Sequence, residues 1–349
     1  MKVGDGGLMS TLSKKQVKKA GEQLVANPKD SNAMQILSQW RSLHAYPINT
    51  FQALLRKHIT KLKLKDSMIA QRLKRTPSII RKIQRFEGMN LARMQDIGGI
   101  RVIVRSVDDV YRLHDSLIKG RHQHEPLLPP KDYISQPKPD GYRSLHQVFK
   151  YKATAHSESD GLNIELQIRT KLQHYWATAV ETLGLIEKSS FKTGQGSDEY
   201  KLFFRLASVL FAYAENQAVI DDFKNTPITD VVQQFTALEQ ELQAFSKLQG
   251  LIITAQHVNA ISSKDAFYYL MQLDSNKGEV SITPFSKKQL SIAESIYRLQ
   301  EIENVDNPHI ELVLMSAVNF KDIKKAYPNY FLDTKAFIEN LTRICKELH

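Results

Sequence analysis

Two strand-like segments joined by a polar turn constrain the fold of this chain most strongly. LHQVFKYKA begins at Leu145 and LNIELQIRT begins at Leu162, and the polar residues HSESDG lie between them. Closely spaced segments of this kind predict an antiparallel hairpin. Upstream, DIGGIRVIVRSV (96–107) predicts a strand, and VDDVYRLHDSLIK (107–119) has the periodicity of a helix. Strands and helices therefore occur together in the central part of the chain.

The remaining segments predict three regions. HEPLLPPKDYISQPKPDGYRS carries five of the twelve prolines, which predicts a long loop before the hairpin. Near the C-terminus, FYYLMQLD and VSITPF predict a second hairpin, followed by a helix, the strand HIELVLM and a final helix. We expect an N-terminal helical region at 1–49, a central domain at 50–225, and a helical linker with a small α/β module at 226–349.

The charge of the chain is unevenly distributed. The formal net charge is +11, and residues 1–224 hold 36 Lys and Arg against 22 Asp and Glu, whereas residues 225–349 hold 12 against 15. A basic N-terminal part suits a polyanionic ligand such as nucleotide phosphates or nucleic acid, and it could attract an acidic C-terminal part. The alternative is that the asymmetry only aids solubility.

Several classes of protein are disfavoured by the sequence. No apolar run reaches the roughly 18 residues of a membrane-spanning helix, and the N-terminus MKVGDGGLMSTLSKKQ lacks the apolar stretch of a secretory signal. We therefore expect a cytoplasmic protein without membrane contact. The single cysteine, Cys345, excludes an internal disulfide and a cysteine-rich zinc site.

A basic segment precedes the predicted central strand. Eleven Lys or Arg and one acidic residue, Asp66, lie between Arg56 and Arg85. Pro77 after Thr76 predicts a helix start with Thr76 as its N-cap. The spacing then places Ser78, Lys82 and Arg85 on one helical face, where cations could hold a triphosphate. A solvated basic face is the simpler interpretation of this segment alone.

Three further clusters could carry chemistry. Asp96 at a strand entry could bind Mg²⁺, which favours carboxylate oxygens. The loop from KDYI to PKPDGYRSLH gathers Lys, Tyr, Arg and His, which can grip phosphates and stack on a base. Alternation places Glu165, Gln167 and Arg169 on one strand face, where Glu165 could activate a hydroxyl or complete a metal site. Each cluster alone is ambiguous.

The order of these motifs resembles one known family. RLKRTPSIIRKIQR, DIGGIRV, KDYI, PKPDGYRSLH and ELQIRT, taken together, closely resemble the synthetase domain of RelA/SpoT alarmone enzymes over about residues 50–190. The resemblance implies an α/β (α+β) fold, with a mixed β-sheet flanked by helices as in nucleotidyltransferases. It also implies transfer of the β,γ-pyrophosphate of ATP to a ribose 3′-hydroxyl, with AMP leaving.

The resemblance assigns roles to matching residues. Asp96 would bind Mg²⁺, and Glu165 would act as base or second metal ligand. The residues expected to hold ATP are Arg72, Lys74, Ser78, Lys82, Arg85 and Arg101. The residues expected to contact the acceptor are Lys131, Lys138, Tyr142, Arg143, His146, Gln167 and Arg169, with Tyr142 stacking on its base. Fewer than a hundred residues precede Asp96, so we expect no hydrolase domain of the kind found in long family members.

The C-terminal part suggests a narrower resemblance. Tyr327-Pro328-Asn329-Tyr330 in an α/β tail is similar to the neutralising element of CapRel-like fused toxin–antitoxin proteins, which guard against phage. This implies a toxin that modifies the 3′ CCA end of tRNA, is held inactive by Tyr327 and Tyr330, and is released by a phage protein. We then expect removal of the residues after 225 to raise activity. The alternatives are synthesis of (p)ppGpp from GDP or GTP, and a catalytically inert RNA-binding module.

Overall fold

The computed structural model describes residues 12–186, 196–254, 258–260, 265–274, 277, 279–304, 307, 309–316 and 334–348. Within these residues the helices are α1 (Lys14–Ala26), α2 (Ser31–Ser42), α3 (Ala45–Lys61), α4 (Thr76–Arg85), α5 (Val107–Ile118), α6 (Lys171–Ile186), α7 (Asp198–Ala214), α8 (Ile228–Leu242), α9 (Ala244–Thr254), α10 (Leu290–Glu303) and α11 (Lys335–Leu348). The strands are β1 (Met68–Leu73), β2 (Gly98–Val104), β3 (Glu125–Asp132), β4 (Leu145–Lys150), β5 (Asn163–Thr170), β6 (Val258–Ala260), β7 (Ala266–Asp274), β8 (Glu279–Ser286) and β9 (Ile310–Ser316).

The described strands form one nine-stranded mixed sheet, in the order β3-β4-β5-β2-β1-β9-β7-β8-β6. The pairs β2–β5 and β6–β8 are parallel and the others are antiparallel. Both predicted hairpins form, as β4–β5 and β7–β8. The predicted fold class, a mixed sheet flanked by helices, is therefore confirmed.

Alternation along the central strands separates the core from the opposite sheet face. Ile164, Leu166 and Ile168 of β5 are buried with residues of α3 and α5 in one hydrophobic cluster. Glu165 and Gln167, which alternate with them, line a pocket on the other face. This period of two is the reason that polar side chains gather on one face of a buried strand.

The C-terminal residues pair and pack with earlier parts of the chain. Strand β9 pairs with β1, with Arg72 opposite Met315, so the sheet continues from the central region into the last hundred residues. Phe337 and Leu341 of α11 are buried in the same cluster as Phe203 of α7. The predicted division at 225/226 stays a prediction. However, hydrophobic residues from both sides of it share one core.

Several local expectations differ from the structure. The proline-rich segment predicted as a loop contains β3, which pairs with β4 at the sheet edge and has an irregular register between Leu127 and Lys131. Proline is tolerated there because an edge strand can leave a donor position unused. Helix α3 contains Pro47 near its start, since proline fits a first helical turn.

Two helix boundaries also shift. Helix α4 begins at Thr76, so its N-cap residue is Arg75 and not Thr76. The linker that was expected to be helical contains more than one helix, because Gln243, whose φ of 51° is left-handed, ends α8. None of the helices in the described residues has the length and apolar character needed to span a membrane.

Candidate active site

A polar pocket lies against the middle of the sheet. Its lining residues are Ala70, Lys74, Asp96, Gly99, Ile100, Arg101, Glu165 and Gln167. Five of the residues expected to contact ATP, metal or acceptor from the sequence therefore share one cavity.

Parallel pairing of β2 with β5 brings two motifs together. Gly99 lies opposite Glu165 and Arg101 lies opposite Gln167. The two adjacent glycines have different surroundings. A Cβ atom at Gly98 would lie 2.9 Å from Cδ1 of Ile164, so Gly98 allows close packing in the core. Gly99 instead lines the pocket, where its missing side chain leaves room for a ligand.

Asp96 is a carboxylate that two lysines contact on one side of the pocket, which we call its basic side. Its Oδ2 lies 2.8 Å from Nζ of Lys74 and 2.9 Å from Nζ of Lys82. Burial by itself would raise the pKa of Asp96, but the charges and hydrogen bonds of the two lysines outweigh it and hold the pKa below its ordinary value. Asp96 is therefore ionised at neutral pH.

Glu165 is held at the other side of the pocket by His146 and Gln167. Nε2 of Gln167 donates to Oε2 of Glu165 at 2.7 Å, and Nδ1 of His146 lies 3.1 Å from Oε1. Burial and the charge of Asp96 act to raise the pKa of Glu165. The hydrogen bonds from His146 and Gln167, with the charge of His146, lower it further than burial raises it, so the net shift is downward. Glu165 is thus a fixed, ionised carboxylate.

His146 links Glu165 to Tyr142. The hydroxyl oxygen of Tyr142 lies 2.8 Å from Nε2 of His146. Nδ1 of His146 can donate to Glu165, and its Nε2 shares a hydrogen bond with the Tyr142 hydroxyl, which can donate or accept. Burial raises the pKa of Tyr142, so its phenol keeps its proton at neutral pH. The three side chains form a continuous hydrogen-bonded chain.

The loop that carries Tyr142 forms a small cationic and aromatic cluster. Nζ of Lys138 lies 4.5 Å from the ring centroid of Tyr133 and 5.0 Å from that of Tyr142. Tyr133 lies edge-on to His146 at 5.3 Å. Tyr133 stands in the quoted KDYI motif but was not among the predicted site residues. Its place within the proline-rich segment, nine residues before Tyr142, is the signal that could have identified it.

This loop is anchored to α7. Oγ of Ser208 donates to the carbonyl oxygen of Gly141 at 2.6 Å, and Nε of Arg143 donates to Oγ of Ser208 at 3.2 Å. Gly141 has φ +93°, and a Cβ atom there would lie 2.8 Å from Cβ of Ser208. A glycine is therefore required both by the backbone conformation and by the close approach of α7.

Two arginines expected at the acceptor are buried in this structure. Arg143 is 3% exposed and also donates to the carbonyl oxygen of Ile134 at 3.2 Å. Arg169 is 2% exposed and bonds His174. Both side chains hold backbone and helix in place, so a contact with acceptor phosphates would require movement. Their acceptor role stays a prediction.

The other expected site residues lie around the pocket or outside the described residues. Ser78 is half-buried, whereas Arg85 and Lys131 are exposed. The backbone of Arg72 pairs with Gly99, but its side chain is outside the described part of the structure. Tyr327 and Tyr330 also lie outside the described residues.

The donor set fits a magnesium ion that is shared with a phosphorylated ligand. Oδ1 of Asp96 is buried and has no hydrogen-bond partner within the described residues. Glu165 lines the same pocket. No group of three or more His, Cys, Asp or Glu side chains among the described residues could hold a metal. Mg²⁺ is often bound by one or two carboxylates plus substrate phosphates, so two carboxylates suffice.

The pocket combines a basic side with two carboxylates, Asp96 and Glu165, which could share a cation with an anionic ligand. Residues 71–194 match the family described as the region found in RelA / SpoT proteins. The central part of the chain is therefore similar to that region.

The chain is similar to curated proteins in this region. It is 34% identical over 113 residues to the GTP pyrophosphokinase YwaC of Bacillus subtilis (strain 168), covering 31% of this chain and 52% of that protein. It is 32% identical over 117 residues to the GTP pyrophosphokinase YjbM of the same organism, covering 33% and 54%. The chain thus spans about half the length of these curated relatives.

Solved structures of similar proteins include the small alarmone synthetase 1 from Bacillus subtilis bound to its product pppGpp. That structure has a TM-score of 0.43 and 26% sequence identity, and the match covers 51% of this chain and 93% of that chain. A GTP pyrophosphokinase family protein from Streptococcus pneumoniae has a TM-score of 0.42 and 23% identity, with coverage of 60% and 96%.

Proposed function

We propose that this chain is a magnesium-dependent pyrophosphokinase that transfers the β,γ-pyrophosphate of ATP to a ribose 3′-hydroxyl. The observation that carries the proposal is one pocket in which Asp96, paired with Lys74 and Lys82, lies with Glu165. The curated relatives named as GTP pyrophosphokinases support the same reaction class.

The basic side of the pocket suits the ATP phosphates. Lys74 and Lys82 present two ammonium groups, and Arg101 lines the same cavity. Phosphoryl-type transfer depends on alignment and charge neutralisation more than on covalent catalysis. These three cations would orient the triphosphate and offset its charge. Bound Mg²⁺, held by Asp96 with Glu165 as a possible second ligand, would neutralise charge that develops on the phosphate oxygens.

Glu165 suits the role of base for the attacking hydroxyl. Its carboxylate is ionised and fixed by His146 and Gln167. In the reaction the ribose 3′-oxygen attacks the β-phosphorus of ATP and forms a new P–O bond. The bond from the β-phosphorus to the oxygen that bridges it to the α-phosphorus breaks, and AMP leaves with that oxygen. The proton of the 3′-hydroxyl passes to Glu165.

The loop residues suit the base and phosphates of the acceptor. Tyr142 and Tyr133 offer aromatic rings next to the ammonium group of Lys138. Stacking on one base is worth about 1–3 kcal/mol. The names of the relatives favour GDP or GTP as the acceptor.

The 3′ end of tRNA is the second candidate acceptor. It is supported by a run of exposed cations at the end of α3 and after it, namely Arg56, Lys57, Lys61, Lys63 and Lys65. A polyanion larger than a nucleotide would be attracted to such a run. In this alternative the chain is a translation-inhibiting toxin restrained by its own C-terminal part through Tyr327 and Tyr330, and a phage protein that binds this part would release it.

One experiment separates these acceptors. The full chain is incubated with γ-labelled ATP and Mg²⁺, with GDP, GTP or bulk tRNA as acceptor, and with the Asp96→Asn variant as control. Label in a guanosine tetra- or pentaphosphate supports alarmone synthesis, and label in tRNA supports the toxin. Label in neither acceptor, both with the folded unchanged chain and with the folded variant that carries Tyr327→Ala and Tyr330→Ala, contradicts the proposed transfer.

A second comparison tests the restraint. The full-length variant with Tyr327→Ala and Tyr330→Ala should modify tRNA faster than the unchanged chain, and it should be more toxic in bacteria. An unchanged rate would contradict restraint by these tyrosines. The full chain is needed for this comparison, because α11 belongs to the same hydrophobic cluster as α7.

A further inference from the structure

The first turn of α4 is held by a side chain from the C-terminal part of the chain. The backbone N–H of Thr76 donates to Oε1 of Glu301 at 3.1 Å, and Oγ1 of Thr76 donates to Oε2 at 2.8 Å. The residues are 225 positions apart in sequence, and both are buried. Glu301 therefore satisfies a helix N-terminal donor that the helix itself leaves unpaired.

Arg41 completes this buried contact. Its Nη1 lies 2.7 Å from Oε2 of Glu301 and donates to Oγ1 of Thr76 at 3.3 Å. The guanidinium also lies over the ring of Tyr297, 4.7 Å from the centroid. The cluster thus joins α2, α4 and α10 through charged side chains that have little contact with solvent.

A second carboxylate holds the preceding residue. Oε2 of Glu311 on β9 lies 2.8 Å from Nη1 of Arg75. Two carboxylates from the C-terminal part therefore hold two consecutive residues, Arg75 and Thr76, at the start of α4.

These contacts are adjacent to the basic side of the pocket. Lys74 lies two residues before Thr76, and Lys82 lies on α4 itself; both ammonium groups contact Oδ2 of Asp96. Because a helix moves largely as a rigid unit, a shift of its first turn would displace Lys82 and would alter the chain path at Lys74.

We propose that Glu301 is a positioning residue for the pocket cations, so that the C-terminal part of the chain sets the place of α4 and with it the affinity for the triphosphate. The identity of that ligand as ATP rests on the proposed function. The attachment of Glu301 to α4 does not, and it can be measured without any reaction.

Four full-length variants test the proposal. Thr76→Val removes the hydroxyl donor, and Thr76→Ser restores it. The double variant Arg41→Met with Glu301→Met removes both charges together, which avoids a stranded buried charge and commonly preserves stability. Glu303→Gln alters an exposed carboxylate on the same helix and serves as the matched control.

Three quantities are measured for each variant: hydrogen exchange of the α4 backbone amides without nucleotide, the Kd of a non-hydrolysable ATP analogue, and the KM of ATP and of the acceptor. We expect Thr76→Val and the double variant to exchange faster in α4 and to bind the analogue about three- to tenfold more weakly, as loss of one hydrogen bond implies. The KM of the acceptor should not change. Thr76→Ser and Glu303→Gln should match the unchanged chain.

Other results would overturn the proposal. If the folded double variant and Thr76→Val keep the original exchange rates and the original Kd, Glu301 only contributes to stability. Equal increases in the KM of ATP and of the acceptor would also contradict a specific effect on α4. If the unchanged chain neither binds the ATP analogue nor transfers label, the proposed function fails. Hydrogen exchange then decides alone: faster exchange in α4 supports the positioning role, and unchanged exchange refutes it.

Discussion

The ammonium nitrogen of Lys74 lies 2.8 Å from Oδ2 of Asp96. Lys82 contacts the same oxygen, so two cations pair with one carboxylate that lines the pocket. In the proposed reaction, the ATP phosphates would draw these ammonium groups toward themselves, and the carboxylate of Asp96 would then be able to hold Mg²⁺. The pairing keeps Asp96 ionised and holds the two lysine side chains in place before the ligand binds.

Asp96→Asn tests the metal role. We expect the variant to fold and to lose at least about 100-fold in the rate of transfer, because a neutral amide holds Mg²⁺ and offsets the lysines poorly. The check is the initial rate of AMP release at several Mg²⁺ concentrations, with Asp108→Asn on the exposed surface of α5 as control. Near-normal activity in folded Asp96→Asn would remove Asp96 from the metal site.

His146→Ala tests what keeps Glu165 ionised. The pKa of Glu165 lies below its ordinary value of 4.5, and the contribution of His146 opposes the effect of burial. Without His146, burial is less opposed and the pKa of Glu165 should rise. A base works only when ionised, so the acidic limb of the profile of kcat/KM against pH should move to higher pH.

The same shift affects stability. A carboxyl group with a lowered folded pKa stabilises the fold above its unfolded pKa, and this contribution is lost as the pH falls through the folded pKa. In His146→Ala that contribution should be smaller or absent. If the acidic limb of the kcat/KM profile stays at the original pH in His146→Ala, Glu165 is not the group being titrated. As a control, the profile of Glu165→Gln should lack this limb.

Tyr142 has two separable contributions, its ring and its hydroxyl. Tyr142→Ala should raise the KM of the acceptor about 5- to 150-fold, as loss of stacking on a base implies, and should leave the Kd of an ATP analogue unchanged. Tyr142→Phe keeps the ring and loses the hydroxyl together with its bond to His146. It should change the KM of the acceptor much less. Equal weakening of ATP and acceptor by Tyr142→Ala would place Tyr142 outside the acceptor site.

Leu341→Ala tests whether the C-terminal helix is part of the core. Leu341 is fully buried in the cluster that contains α7. We expect its truncation to lower the free energy of unfolding by about 2–5 kcal/mol, measured by urea denaturation. Lys346→Ala on the exposed side of α11 should be nearly neutral.

The position of α11 also changes an expectation from the sequence. Removing the residues after 225 was expected to raise activity, but it would remove buried residues such as Phe337 and the strand that pairs with β1. We now expect the fragment to be less stable than the full chain. A fragment that unfolds at the original temperature and is more active would support an independent C-terminal module instead.

Local patterns were sufficient for much of the fold and of the pocket. Alternation in ELQIRT predicted that Glu165 and Gln167 share a face of β5, and both line the pocket. Period and turn residues also predicted α5 and both hairpins. These features depend on residues that are close in sequence, so a periodic pattern of side chains is enough to indicate them.

Other features depended on partners that no local pattern reveals. The proline-rich segment becomes β3 only because β4 lies beside it. The charge of Arg143 in this loop suggested a contact with the acceptor. In the structure, however, Arg143 donates hydrogen bonds to Oγ of Ser208 on α7 and to the carbonyl oxygen of Ile134.

The sequence by itself determined both hairpins, the central strand and helix, the mixed α/β character and the residues that line the sheet face. Only the tertiary structure decided that β9 joins β1 and that Glu301 bonds Thr76. The physical reason is that periodicity reports which face of an element is buried, whereas the choice of partner across 225 residues depends on packing and on satisfying buried charges and donors.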